Sequence, residues 1–60
     1  MGNPKFELID IAAQLKVETS AAYLLYDGKV SRWVPKSQVE DNKDGTYTMP
    51  MWLAEEKEFI

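Results

Sequence analysis

The sequence predicts a small, mainly β domain of the α+β kind, with four to five short antiparallel strands rolled into a barrel and a C-terminal helix at about residues 51–59. Three observations predict it. Asp27-Gly28 and Asp44-Gly45 each set a turn dipeptide between stretches suited to strands. Ile9, Ile11, Ala13, Leu15 and Val17 recur with period two, the signature of a half-buried strand. Pro50 then divides a Thr-Tyr-Thr-Met run from an apolar stripe at helical spacing.

The chain has 60 residues, and its hydrophobic fraction of 45% is that of a folded protein. A chain of this size is one domain, residues 1–60, and buries only about 60% of the surface its unfolded form exposes. With no Cys and no His, it lacks thiolate chemistry and the commonest general base and metal ligand. The reading is therefore not an enzyme, with no cofactor and no metal. Net charge is −3, from seven basic and ten acidic residues, which disfavours nucleic acid and anionic lipid as partners in bulk. Met1 to Phe6 lacks a signal-peptide apolar stretch, and Phe6 stands where a myristoylation motif needs Ser or Thr, so a cytoplasmic chain without membrane association is expected.

Residues 9–17 read as one strand. Phe6 and Leu8 fall out of phase with it, which predicts a bulge or a separate short strand near Leu8 and Ile9. A rival reading caps a helix at Asn3, starts it at Pro4, and lines Leu8, Ile11 and Leu15 along one face. After a polar Glu18-Thr19-Ser20 turn, residues 21–26 are apolar on both faces, as in a strand covered on two sides. Asp27-Gly28 then reverses the chain. On the return strand Val30, Arg32 and Val34 share one face while Ser31 and Trp33 share the other, and Arg32 keeps its stem covered and its head wet. Pro35 has no N–H to donate and ends the strand.

Gln38-Val39-Glu40 restarts a strand, and residues 41–45 are dense in turn formers, so a second hairpin leads into Thr46 to Met49. From Met51 onward Trp52, Leu53, Phe59 and Ile60 form one apolar helical stripe, with Glu55, Glu56 and Glu58 facing water.

Glu18-Thr19, Asp27-Gly28, the run Trp33-Val34-Pro35-Lys36-Ser37-Gln38, then Asp-Asn-x-Asp-Gly-Thr and Met-Pro-x-Trp-Leu-Ala follow one another between about Leu15 and Ile60. This order resembles a group of small uncharacterised proteins and domains common in bacterial phages and prophages. The resemblance implies a phage or prophage accessory protein acting inside a bacterial host, with no settled activity to carry over. Arg32 departs from the apolar residue the pattern has before the Trp. Val34-Pro35-Lys36-Ser37-Gln38-Val39 is also similar to the last loop of SH3-like barrels. Gln38 stands where their ligand-binding aromatic would be, so the likeness implies the barrel shape and not Pro-rich peptide binding.

Trp33 and Tyr23, with Arg32 and Lys36 beside them, form the candidate partner-binding patch, because Trp and Tyr are the usual interface anchors. The bland alternative for Trp33, and the favoured one for Trp52, is a core aromatic. Lys29, Arg32 and Lys36 around Trp33 form an alternative patch for single-stranded DNA or RNA, against a solvated strand edge guarded by Lys. Glu40, Asn42, Asp44 and Gly45 match the first half of a calcium loop, but Met51 stands where the bidentate Glu belongs. Ser37 beside Lys36 has no third group to complete a nucleophilic site, and paired carboxylates such as Glu55-Glu56 read as solvated faces. The expected function is a non-catalytic protein-interaction module that binds a host defence or nucleic-acid enzyme, an anti-defence role, or self-associates as a homo-oligomer.

Overall fold

The structure is a computed structural model that describes residues 7–60. The chain runs through β1 (Leu8–Ala12), β2 (Gln14–Glu18), β3 (Ala22–Tyr26), β4 (Ser31–Pro35), a 3₁₀ turn (Lys36–Gln38), β5 (Glu40–Asp41), β6 (Thr46–Pro50) and α1 (Met51–Glu56). It is mainly β with one short C-terminal helix. The strands pair antiparallel as two three-stranded sheets, β1-β6-β5 and β2-β3-β4, and no ladder among the described residues joins one sheet to the other.

The single strand expected over residues 9–17 is two strands in two sheets. Ala13 separates them, and its N–H donates to the Gly45 carbonyl at 3.1 Å, which pins the crossing point to the second hairpin. The helical reading fails for residues 8–12, which pair with β6, while Asn3, Pro4 and Phe6 lie outside the described residues. Of the bulge or separate short strand expected near Leu8 and Ile9, the separate strand is found, as β1, and the bulge lies at Lys16: Leu15 stands opposite Leu25 and Val17 opposite Leu24, with Lys16 bulged between them. A bulge supplies the extra residue that breaks period two. Val17 is therefore turned to the outer face and is 46% exposed, where strict alternation would have sent it to the core.

Both expected hairpins form. In the first, Tyr26 pairs with Ser31, and the Asp27 carboxylate accepts the backbone N–H groups of Lys29 at 2.8 Å and Val30 at 2.9 Å. This Asx turn leaves Gly28 at φ +103°, a conformation that costs glycine nothing sterically. In the second, Asp41 pairs with Tyr47, and the Asp44 carboxylate accepts from the Thr46 N–H at 3.0 Å and hydroxyl at 2.5 Å. The half-match to a calcium loop is accounted for by this turn.

The core lies between the sheets and under the helix. Leu25, Val34, Met49 and Leu53 are its fully buried large side chains, joined by Ile11, Val39, Tyr47, Ala54 and Phe59. The expected inward face of the return strand holds: Val34 is buried, and Val30 packs against the core.

The helix is shorter than the expected 51–59. Pro50 stays extended as the last residue of β6 and the cap of α1, and the helix stops at Glu56. Glu58 then adopts φ +66°, its N–H donating to the Glu55 carbonyl at 3.1 Å, while the Phe59 N–H reaches back to Ala54 at 2.8 Å. These two bonds are a Schellman ending, with Glu58 in the left-handed position that glycine usually fills. The reversal, not a continued helix, carries Phe59 into the core and leaves Ile60 60% exposed.

Candidate functional site

Alternation and the Lys16 bulge decide which side chains of the β2-β3-β4 sheet face away from the core. Leu25 is fully buried, so its neighbours Leu24 and Tyr26 point outward. Val17 stands opposite Leu24, and Leu24 opposite Trp33, so the three form one row across all strands of the sheet. Trp33 is 46% exposed, as Val17 is. Ala22 opposite Pro35 extends this face at one end, and Tyr26 opposite Ser31 extends it at the other. The expectation that residues 21–26 are covered on both sides is corrected accordingly: the core covers one side, and the other carries the exposed row.

Tyr26 is held by its hydroxyl, which donates to the Gly28 carbonyl at 3.0 Å. The Lys16 ammonium lies over its ring, 5.2 Å from the centroid. Beside Tyr26 an open depression of about 430 Å³ is lined by Ala12, Ala13, Gln14, Asp27 and Gly28. The Asp27 carboxyl there is held below its ordinary 3.8 by hydrogen bonds from the backbone of Val30, then of Lys29, which outweigh the opposing effect of burial.

The residues singled out in the sequence are not brought together. Tyr23 stands opposite Val34 and Trp33 opposite Leu24, so the two aromatics lie on opposite faces of the sheet. Tyr23 packs against the core, its ring 5.7 Å from that of Tyr47. Arg32 is on Tyr23's side, opposite Leu25, and its guanidinium pairs with Glu58 just beyond the helix. Lys36 pairs with Glu18 at 2.5 Å and covers the Tyr23 ring at 5.1 Å. Arg32 and Lys36 are thus ties between elements, Arg32 from β4 to the helix end and Lys36 from the 3₁₀ turn to β2. The alternative nucleic-acid patch of Lys29, Arg32, Trp33 and Lys36 is divided in the same way, with only Lys29, exposed in the first hairpin loop, outside these pairs.

Trp52 packs partly buried against the core, as its bland reading expects. Sequence reasoning missed Val17, Leu24 and Lys16. The apolar outward set Ala22, Leu24 and Tyr26 was a usable signal for an unpolar open face, whereas nothing in residues 14–18 marks Lys16 as the bulged one.

No helix among the described residues is long and apolar enough to cross a membrane. No protein-family model, curated protein or solved structure matches the chain.

Proposed function

We propose that this domain is a non-catalytic interaction module whose contact surface is the outer face of β2-β3-β4, with Trp33 as its anchor. The observation that carries this reading is the row Val17, Leu24 and Trp33, in which a Trp and a Val each keep nearly half their surface in water although only nine hydrophobic residues among those described are buried. Burial of such side chains is the main driving force a small core has, at about 25 cal/mol per Å². Leaving them exposed forgoes that stabilisation in the isolated chain, and a partner that covers them recovers it. The outer face also has the composition of an interface centre, rich in aromatic and aliphatic groups and poor in charge.

The test is site-specific photocrosslinking in cells, with benzoylphenylalanine replacing Trp33 in one variant and Glu40, exposed on β5, in another. Discrete protein adducts from position 33, and none in common with position 40, are expected. Equal, diffuse labelling from both positions would refute the face as a binding surface.

A further inference from the structure

We infer that the outer face takes a short extended peptide in which apolar side chains alternate with carboxylates. The inference rests on the proposed contact surface and adds the chemistry of its occupant. Charge is the first argument. The chain carries ten acidic residues, yet the outward positions of β2-β3-β4 hold none of them. Glu18 stands opposite Tyr23 on the other side of the sheet and is paired with Lys36. Acid stands instead on β1, β5 and the helix, at Asp10, Glu40, Asp41, Glu55 and Glu56, and the carboxylate beside this face, Asp27 of the adjoining loop, accepts the N–H groups of Lys29 and Val30. The cation on the outer face is Lys16, poised over Tyr26, with Lys29 in the adjoining loop; neither makes an ion pair among the described residues.

Size is the second argument. Three strands of five residues present on the order of 250 Å² in projection. Even doubled for side-chain relief, that is below the ~800 Å² per partner of a stable protein interface. A second copy stacked face to face is therefore too weakly held for a stable dimer, whereas a peptide of about five residues spans the same ~17 Å as a strand. The depression beside Tyr26, at the end of β3, gives such a peptide a place for one further side chain, an apolar one because Asp27 lines it.

Eight-residue peptides alternating leucine with aspartate, the same peptides with lysine for aspartate, and octathymidylate are titrated against the full chain carrying Trp52→Phe, so that Trp33 reports alone. Saturable change with the acidic peptide, weakening as salt rises, is expected. Lys16→Glu should weaken it roughly fivefold or more, and Lys57→Glu, with the same change in net charge, less than about twofold. Circular dichroism melting accompanies each variant, and Lys16→Gln replaces Lys16→Glu if the latter unfolds. Tighter binding of the lysine peptide or of octathymidylate, equal losses from the Lys16 and Lys57 variants, or no saturable response overturns the inference. So does a sedimentation profile showing a dimer that Trp33→Ala dissolves, which would make a second copy the occupant. A face that crosslinks at position 33 but ignores the acidic peptide overturns the occupant and leaves the surface standing.

Discussion

Leu24 faces Trp33 across the β3-β4 ladder on the outer side of the sheet, while Tyr23, one residue earlier, faces Val34 on the inner side. This single step of register separates an exposed Trp from a Tyr packed on the core, and it divides the sheet into an open outer face and a face packed on the core.

Trp33→Ala should therefore leave stability within about 1 kcal/mol of the parent, since its side chain is already half in water. Leu25→Ala, one position along from Leu24 and fully buried, should cost about 2–5 kcal/mol. For a domain of this size the latter approaches the whole of its stability. Urea denaturation of the two variants checks the contrast, and a large loss from Trp33→Ala would mean that it is a core residue after all.

Glu58 holds a left-handed conformation at the end of the helix and also pairs with Arg32. Relieving the backbone with glycine is favourable by about 1 kcal/mol. The ion pair, both of whose side chains are more than a third exposed, returns about 0–1 kcal/mol. Glu58→Gly should therefore raise the melting temperature by a few degrees. The gain should be larger in high salt, where the parent's ion pair is screened. Thermal melts at two salt concentrations read both effects, and a fall in melting temperature would show that the pair outweighs the backbone.

The two hairpin carboxylates give the domain an acid limb. Asp27 is lowered from 3.8 by hydrogen bonds from the backbone of Val30, then of Lys29, and Asp44 is lowered from 3.8 by the Thr46 hydroxyl, then its N–H. Because the folded values lie below the unfolded ones, their contribution is complete above about pH 4 and is lost as pH falls through the folded values. An Asp27→Asn, Asp44→Asn double variant should have a flatter stability profile below pH 5 than the parent, measured by urea unfolding at a series of pH values. At the alkaline end Tyr47 is raised from 10.0, mainly by burial and then by Asp41, so its contribution is present below the unfolded value and is lost as pH rises past it. Tyr47→Phe should blunt that alkaline loss.

Deleting Lys16 removes the bulge without moving Leu15 or Val17 off their partners Leu25 and Leu24. The edge of β2 would then be regular, without its protecting kink and Lys. Concentration-dependent association should exceed that of the parent in sedimentation velocity, while the melting temperature changes by only a few degrees.

The two hairpins could be read from the chain alone, because Asp-Gly turns are made by local hydrogen bonds and a glycine backbone that need no distant partner. So could the inward face of Val30 and Val34 and the change of structure at Pro50. The split at Ala13 and the bulge at Lys16 were set by the folded molecule, since they depend on distant residues: Gly45 of the second hairpin loop for the first, Leu24 and Leu25 for the second. The same holds for the helix end, where Glu58 accepts an uncommon backbone conformation while Phe59 packs into the core. The candidate surface followed from these nonlocal choices. Trp33 was legible as a candidate anchor from its residue type, but its companions Val17 and Leu24 were set by register, which is fixed by packing across strands and is not written in either strand alone.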